Sequence, residues 1–514
     1  MIMRRTLTAL LGGTAVMLAS AAPALASPST DAQAGGLKAD LDAILADQRL
    51  KGAEIGVQVR DARTGKVHYT RGAGTPLMPA SNMKIHTSAA ALALLGPDHR
   101  FRTGVYAKKA GATVAGDLYL KGTGDTTMRA AEYDRLAADV AARGVKRVTG
   151  DLVADDTWFD AQRTVPTWDP TDLQYAYAAE ISALTLAPDD EFNAGSVKVI
   201  VKPGAAGKPV KVALDPPTRT VKIDNRAVTG KEGGDSTLSV ERPEGARTIV
   251  VKGSYPAGGA PVTNLRTVDE PALYAADVFR QALRRHGVKV SGTTRRGRTP
   301  AGVTGVASRT SMPLSRLMTP FLKLSNNVMA ETLVKAIGRE KAGKGSWRAG
   351  LPVVERYLAT QGVPAARLKM ADGSGLSRSN RTAPQDIGTV LRKAQAKSWF
   401  PAWYQALPIA GYPDRMKGGT LWSRMSGTAA AGNVHAKTGT LTGATALSGY
   451  VKDASERRLV FSVVLNGYSG GAPKDIEDKI AIRLAGGPAA ERASTARQAP
   501  SSGVRLECTW TLTC

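Results

Sequence analysis

The chain has 514 residues, with 69 Lys and Arg against 44 Asp and Glu, and its formal net charge is +25 at pH 7. This length allows for roughly three domains and a sizeable core. The chain has only two cysteines, Cys508 and Cys514, which excludes a small fold that is held together by disulfides.

The first residues have the pattern of a secretory signal. Arg4 and Arg5 precede an apolar run from Leu7 to Ala22, and Ala24-Leu25-Ala26 supplies the small residues of a cleavage site. A membrane anchor is the competing interpretation, but the run is short for a bilayer span and ends in a cleavage site. We therefore expect an exported, soluble mature chain that begins after Ala26.

The strong positive charge predicts attraction to polyanions. Nucleic acid is not an expected partner of an exported chain, and anionic wall polymers or the membrane surface are the expected neighbours. A solvated basic surface without a particular partner explains the same charge equally well.

The mature chain begins with the pattern of a helix and a β-hairpin. Apolar residues recur at helical spacing between Leu37 and Leu45. Apolar and polar residues then alternate from Ile55 to Val59, and the alternation resumes at Val67 after the turn Arg63-Thr64-Gly65.

The middle of the chain, residues 100–300, contains short β-type runs that Pro and Gly separate. Val197 to Val201 and Val221 to Ile223 are examples. This composition predicts one or two β-rich inserted modules.

The C-terminal part mirrors the N-terminal part. Ala444 to Val451 and Leu459 to Leu465 have the composition of strands, and Ile476 to Leu484 has helical spacing. These patterns predict an α+β sheet domain that is built from both ends of the chain.

Ser81 and Lys84 form an S-x-x-K motif at the start of an apolar, Ala-rich run. Residues i and i+3 share one face of a helix, so the hydroxyl and the amine can approach each other. The N–H dipoles at a helix start also favour the negative charge that develops during nucleophilic attack. Alone the motif is weak, because a capping serine before a solvent-facing lysine gives the same pattern.

Two further motifs strengthen the nucleophile hypothesis. Ser325-Asn326-Asn327 lies between the apolar stretch Leu314 to Leu324 and the helix-like run Val328 to Ile337. Lys437-Thr438-Gly439 lies near the C-terminal strands and is followed by Thr440. S-x-x-K, S-x-N and K-T-G in this order resemble the signature of serine β-lactamases and penicillin-binding proteins.

The sequence more specifically resembles the low-molecular-mass class C penicillin-binding proteins, the D-Ala-D-Ala carboxypeptidase and endopeptidase family, over nearly all of residues 37–485. Almost half of the chain separates Ser81 from Ser325, and this is where the family carries its inserted domains. Class A β-lactamases and simpler carboxypeptidases leave far less room there. The other supporting stretches are residues 116–122, 150–160 and 372–378 and the strand after Lys437.

Two positions depart from the family pattern. Asn326 stands where the family usually has Asp, and Thr126 stands where Pro is common. Neither change removes a catalytic group. The chain beyond residue 486 lies outside the resemblance.

The resemblance implies an α+β fold with a catalytic domain like that of serine β-lactamases and penicillin-binding transpeptidases, and with two nested β-rich inserted domains. The expected division is a signal peptide at 1–26; a discontinuous catalytic domain at 27–99 and 302–486; a first inserted domain at 100–171 and 265–301; a second, nested in the first, at 172–264; and a flexible tail with a Cys508–Cys514 loop at 487–514.

The resemblance and the needs of acyl transfer also imply residue roles. Ser81 is the expected nucleophile and Lys84 its base, which requires an amine that is neutral near pH 7. Burial and the positive charge of Lys437 would both lower the pKa of Lys84. Ser325 would pass a proton to the leaving amine, and Asn327 would hold the substrate amide.

The strand residues Thr438, Gly439 and Thr440 would bind the terminal carboxylate, and the backbone N–H groups of Ser81 and Thr440 would form the oxyanion hole. The implied activity is that of a secreted, wall-associated serine-type D-Ala-D-Ala carboxypeptidase that acts on peptidoglycan stem peptides and is inhibited by β-lactam antibiotics. No cofactor and no metal are expected, because the five histidines lack ligand spacing.

A specificity pocket is a further implication of the resemblance. The family uses an Asp, an aromatic residue and an Arg to bind the free end of the peptide's diamino acid, and Asp172, Tyr177 and Arg378 match these local patterns. A carboxylate suits the ammonium of that amino-acid terminus, and an Arg suits its carboxylate. A surface Asp, a core Tyr and a structural Arg are the alternative interpretation.

Ser469 lies in a G-x-S-x-G pattern that is typical of α/β-hydrolases. Such enzymes need a histidine after the serine, and the last histidine of the chain is His435. Ser469 is therefore not expected to be a nucleophile.

Two other functions compete with the implied one. A β-lactamase would need a dedicated base for rapid hydrolysis of the acyl-enzyme, and no family-matched residue supplies it. A non-catalytic wall-binding or penicillin-sensing module would not need the complete motif set. The sequence leaves open the balance between carboxypeptidase and endopeptidase action, the preferred diamino acid and the oligomeric state.

Overall fold

The computed structural model describes residues 30–108 and 111–486. The predicted signal peptide, the predicted tail and its Cys508–Cys514 loop lie outside these residues. None of the helices in the described ranges is long and apolar enough to cross a membrane.

The predicted N-terminal helix and hairpin are both present. Leu41 and Leu45 are buried, and the hairpin turn is closed by the Asp61 carboxylate, which accepts the backbone N–H of Arg63 at 2.9 Å. The elements here are α1 (Thr30–Ile44), β1 (Glu54–Asp61), β2 (Val67–Arg71) and α2 (Met83–Leu94).

The middle of the chain is rich in short strands, as its composition predicts. Its elements are β3 (Arg102–Ala107), β4 (Thr113–Val114), β5 (Leu118–Gly122), α3 (Ala130–Ala142), β6 (Arg147–Val148), β7 (Leu152–Asp155), β8 (Ser196–Lys202), β9 (Lys211–Asp215), β10 (Lys222–Asn225), β11 (Val228–Gly230), β12 (Ser239–Glu241), β13 (Thr248–Lys252), β14 (Ser254–Pro256), β15 (Val262–Thr267), α4 (Pro271–Arg285), β16 (Lys289–Val290), β17 (Thr294–Arg296) and β18 (Thr304–Thr310).

These strands form several sheets with one shared apolar core. A five-stranded sheet has the order β17-β7-β5-β3-β18, and three-stranded sheets have the orders β16-β6-β4, β15-β8-β9 and β10-β13-β12. Helices α3 and α4 pack together, with the rings of Tyr133 and Phe279 6.2 Å apart, in the same core as the five-stranded sheet.

Two sheets extend past boundaries of the predicted division. Strand β18 pairs with β3, so the first sheet continues past the predicted end at residue 301 to Thr310. Strand β15 pairs with β8, so the second sheet continues past residue 264 to Thr267. In both cases the last strand bonds to a distant one, which local sequence does not reveal. The nested division itself stays a prediction.

The C-terminal part is rich in helices and has three long strands near its end. Its elements are α5 (Leu314–Lys323), α6 (Asn327–Ala342), α7 (Trp347–Thr360), β19 (Leu368–Lys369), β20 (Arg381–Thr382), α8 (Pro384–Ala394), α9 (Phe400–Ala406), α10 (Arg415–Gly418), β21 (His435–Leu441), β22 (Ala444–Lys452), β23 (Arg458–Asn466) and α11 (Lys474–Leu484).

Both ends of the chain meet in one antiparallel sheet of order β2-β1-β23-β22-β21, in which Val57 lies opposite Val463. On one face Leu41 of α1 and Ile480 of α11 pack in one apolar cluster, and on the other Ile387 of α8 belongs to a second cluster. Helices therefore cover both faces, which explains why β22 and β23 are buried almost throughout. Strand β21 lies at the sheet edge, next to the turn before α2.

Candidate active site

Ser81 lies in a 3₁₀ turn, Ala80–Asn82, directly before α2. Ala80 has a φ of 46°, a left-handed conformation that costs a non-glycine residue about 1–3 kcal/mol. Gly375 lies so close that a Cβ there would be 1.9 Å from the carbonyl oxygen of Ala80. Tight packing thus holds the turn that carries Ser81 in a conformation that the chain alone would disfavour.

Lys84 lies one helical turn after Ser81 and is completely buried. Its Nζ is 2.9 Å from Oγ of Ser81, 2.6 Å from Oδ1 of Asn327 and 2.7 Å from the carbonyl oxygen of Ser374. The Asn327 amide has a fixed orientation, because its Nδ2 donates to the carbonyl oxygen of Tyr177 at 2.9 Å. The first two motifs therefore meet at one amine.

Burial lowers the pKa of Lys84 to about 7. The carboxylates of Asp372 and Glu331 act in the opposite direction but have the smaller effect on this pKa. A neutral lysine amine has two N–H groups and one lone pair. The amide and carbonyl oxygens accept the two N–H groups, so the lone pair is left for the hydroxyl of Ser81. The arrangement suits a general base that acts near neutral pH.

Lys437 is the second buried amine of the site. Its Nζ donates to Oγ of Ser325 at 2.9 Å and to the carbonyl oxygen of Thr438 at 2.8 Å. Burial, followed by repulsion from Lys84, holds the pKa of Lys437 well below its usual range. The repulsion is mutual, because each ammonium disfavours the charged form of the other.

Glu331 is a buried carboxylate that the sequence analysis missed. It lies on α6, and its oxygens accept the backbone N–H groups of Gly373 at 2.9 Å and Ser374 at 2.7 Å. Burial, followed by the charge of Asp372, raises the pKa of Glu331.

Asp372 is a second buried carboxylate, and it lies on the loop that Glu331 contacts. It accepts the backbone N–H groups of Gly375 at 2.7 Å and Ser377 at 2.6 Å, and the indole N–H of Trp168 at 2.9 Å. Asp372 thereby fixes the part of the loop that follows Ser374.

Together these carboxylates hold the loop whose Ser374 carbonyl oxygen accepts from Lys84. A signal for this arrangement was present in the sequence, because Glu331 follows Asn327 by four residues and residues i and i+4 share one face of a helix. The partners of Glu331 on the loop gave no such local signal.

The edge strand β21 lies against the 3₁₀ turn that carries Ser81. At Gly439 a Cβ would lie 3.1 Å from the backbone nitrogen of Ser81, so glycine allows the close approach of strand and turn. The following residue, Thr440, is buried. Oγ1 of Thr438 is 2.7 Å from Oγ1 of Thr420, a neighbour that the sequence analysis did not identify.

The three predicted pocket residues lie on two neighbouring segments. The Asp172 carboxylate is buried and accepts the hydroxyl of Tyr177 at 2.8 Å. Arg378 is exposed and donates to the carbonyl oxygen of Thr442 at 2.7 Å. Tyr177 shares an apolar cluster with Leu441, the residue before Thr442. The pocket itself stays a prediction.

Similarity to known proteins extends over almost the whole chain. The model of the D-Ala-D-Ala carboxypeptidase 3 (S13) family matches residues 37–486. The chain belongs to this family. A D-alanyl-D-alanine carboxypeptidase from Actinomadura sp. (strain R39) is 48% identical to this S13 carboxypeptidase over 505 residues, which cover 97% of this chain and 94% of the relative. The D-alanyl-D-alanine carboxypeptidase DacB of Haemophilus influenzae is 26% identical over 435 residues, with coverages of 84% and 88%.

A solved structure extends this similarity to the fold. The crystal structure of penicillin binding protein 4 (dacB) from Haemophilus influenzae matches this S13 carboxypeptidase with a TM-score of 0.75 at 25% identity, and covers 86% of this chain and 98% of that chain. These findings confirm the resemblance to low-molecular-mass class C penicillin-binding proteins, the α+β fold class and the enzyme class, a serine-type D-Ala-D-Ala carboxypeptidase.

Proposed function

We propose that this carboxypeptidase cleaves the D-Ala-D-Ala stem peptides of peptidoglycan through an acyl-enzyme on Ser81, and that β-lactam antibiotics acylate the same residue. The observation that carries the proposal is the buried amine of Lys84, which is 2.9 Å from the Ser81 hydroxyl and whose pKa is lowered to about 7 by burial. A neutral amine at this distance can take the hydroxyl proton and activate the nucleophile.

In the first half of the reaction, Oγ of Ser81 attacks the carbonyl carbon of the penultimate D-Ala while its proton passes to Lys84. The backbone N–H groups of Ser81 and Thr440 stabilise the oxyanion. The peptide C–N bond then breaks, and the proton held by Lys84 passes through the Ser325 hydroxyl to the leaving amine, which leaves Lys84 neutral again. The Ser325 hydroxyl is held in place by Lys437, from which it accepts at 2.9 Å. In the second half, water attacks the ester carbon while its proton passes to Lys84, and Lys84 returns that proton to Oγ of Ser81 as the acyl C–O bond breaks.

The remaining motif residues position the substrate. Asn327 holds the substrate amide, and Thr438, Gly439 and Thr440 bind the terminal carboxylate along β21. The contact of Thr438 with Thr420 at 2.7 Å supports this role, because a second hydroxyl orients the first. Endopeptidase action uses the same acyl-enzyme and differs only in the leaving group, so it belongs to the proposal.

The proposed location is outside the cytoplasm, in contact with the cell wall. The signal pattern at residues 1–26 supports export, and the net charge of +25 suits contact with anionic wall polymers or the membrane surface.

Benzylpenicillin tests the proposal directly. We expect intact-mass spectrometry to find one covalent adduct that persists after free penicillin is removed, on the peptide that contains Ser81, and we expect the untreated enzyme to release D-Ala from a pentapeptide. Rapid turnover of penicillin would instead indicate a β-lactamase. An adduct without release of D-Ala from any peptide would indicate a penicillin-sensing module.

The pocket residues predict substrate specificity. Asp172→Ala and Arg378→Ala are each expected to lower kcat/KM for a peptide with a free diaminopimelyl terminus by about tenfold, since each removes one charged partner of that terminus. Acylation by benzylpenicillin, which lacks this group, should stay almost unchanged. Steady-state kinetics with the peptide and stopped-flow acylation with penicillin measure the two effects.

Asp224→Ala and Arg226→Ala provide a matched control. These residues form an ion pair in the inserted region, with Nε of Arg226 2.8 Å from Oδ2 of Asp224, and should affect neither substrate. Equal losses for peptide and penicillin in the Asp172 and Arg378 variants would mean that these residues support the fold and do not select the substrate.

A further inference from the structure

Asn326, the middle residue of the S-x-N motif, makes three hydrogen bonds of two kinds. Its Oδ1 accepts the backbone N–H of Met329 at 2.9 Å and so caps the start of α6. Its Nδ2 donates to the carbonyl oxygens of Glu191 at 3.2 Å and Phe192 at 2.9 Å. The amide therefore joins the catalytic motif to a loop of the inserted region.

This double role explains why Asn, and not the more usual Asp, stands at this position. An Asp could still cap α6, because a carboxylate oxygen accepts backbone N–H groups well. It has no donor when ionised, so it would place negative oxygens opposite two carbonyl oxygens. Only the bonds to the inserted loop require the amide.

The inserted loop, residues 189–193, has a defined shape of its own. Nδ2 of Asn193 donates to Oδ2 of Asp189 at 2.8 Å, and this bond closes the loop. Phe192 has a φ of 59° and packs against two apolar clusters that include residues of α6, Met329 and Val328 among them. The internal contacts of the loop therefore hold the two carbonyl oxygens that accept from Asn326.

The same loop also reaches the opposite side of the site. The Glu191 carboxylate forms an ion pair with Arg415, with Oε2 3.1 Å from Nη2. Arg415 begins α10, which leads directly to Thr420, and the Thr420 hydroxyl lies 2.7 Å from that of Thr438. One loop thus holds the segment beside Ser325 and the segment beside the edge strand.

We propose that residues 189–193 are a positioning element of the active site, and that Asn326 and Glu191 are its positioning residues. The loop sets the distance between the turn that carries Ser325 and the segment that supports Thr438. Ser325 has a left-handed φ of 56°, so its turn needs such support. The proposal rests on the roles given above to Ser325 and Thr438.

Asn326→Asp separates the loop contact from the helix cap. We expect it to keep the melting temperature within a few degrees of the parent, because the cap is retained, and to slow acylation by benzylpenicillin ten- to a hundredfold, an effect of the size that roughly 1 Å of misplacement produces. Asn326→Ser, which also lacks the amide donors but adds no charge, should behave in the same way. An acylation rate equal to that of the parent enzyme in both variants would overturn the proposal.

Asn433→Asp is the matched control. Asn433 also joins two segments, since its Nδ2 donates to the carbonyl oxygen of Lys452 at 2.8 Å and its Oδ1 accepts the Lys452 backbone N–H at 2.8 Å. It is half-buried and lies outside the motifs. Its substitution should leave acylation per folded molecule unchanged, and an equal loss in this variant would mean that the Asn326 effect is only one of stability.

A double-mutant cycle with Glu191→Gln tests whether one loop serves both sides. Glu191→Gln alone should raise KM for the peptide more than it lowers kcat, because it loosens the segment next to Thr438. The double variant should lose less activity than the sum of the two single losses, in free-energy terms, because either substitution already releases the loop. Additive losses would contradict the shared element. Full activity of Ser325→Ala would instead contradict the proposed function, whatever the cycle gives.

Discussion

The Ser81→Ala variant is expected to form no covalent adduct with benzylpenicillin and to release no D-Ala, with a loss of activity of at least about 10⁴-fold. Oγ of Ser81 lies 2.9 Å from Nζ of Lys84, and the lone pair of the neutral amine can accept the hydroxyl proton. Alanine removes the attacking oxygen and changes little else, so the fold should be retained. Intact-mass spectrometry and D-Ala release measure the two losses.

Ser469→Ala is the control for this experiment. Ser469 is exposed and lies in the G-x-S-x-G pattern after β23, so its removal should leave both activities unchanged. Penicillin labelling of Ser469 or of Ser374 in place of Ser81 would contradict the mechanism.

Lys84→Arg is expected to slow acylation by benzylpenicillin by about 10²–10⁴-fold, the usual contribution of a general base. A guanidinium keeps its proton at every accessible pH and cannot accept one from the Ser81 hydroxyl. Stopped-flow measurement of the acylation rate tests this result. A nearly normal rate in the variant would assign the base to another group, of which Lys437 is the first candidate.

The pH dependence of acylation gives an independent check on Lys84. Burial lowers the pKa of this amine to about 7, and only the neutral form is a base. The acylation rate of the parent enzyme should therefore rise about tenfold per pH unit below pH 7 and level off above it, and Lys84→Arg should lose this inflection. Lys335→Arg is the control, because Lys335 is equally buried but donates to Asp160; its rate per folded molecule and its profile should match those of the parent.

Much of the site could be predicted because its key contacts are local in the sequence. Ser81 and Lys84 are three residues apart, so one helical turn brings the hydroxyl and the amine together. The family resemblance that the three motifs carry then implied the α+β fold and the enzyme class. The strands at both chain ends were predicted for the same reason, since the alternation of apolar and polar residues and short apolar runs are local properties of the sequence.

The contacts that tune the site could not be predicted, because they join residues far apart in the chain. Glu331 supports a loop more than forty residues later, through backbone N–H groups that have no sequence signature. Thr420 meets Thr438 only after an intervening loop folds back. The pairing of β18 with β3, which crosses a predicted boundary, is of the same kind.

By itself, the sequence determined the reactive groups: a serine and a lysine on one helical turn, a second serine with two amides, and a lysine on a strand. Only the tertiary structure decided how these groups behave. The low pKa of Lys84 arises from complete burial. The amide of Asn326 is needed because it donates to two carbonyl oxygens of a loop about 135 residues earlier in the chain. Desolvation and hydrogen-bond partners depend on which distant segments pack around a group, and the identity of the group does not encode them.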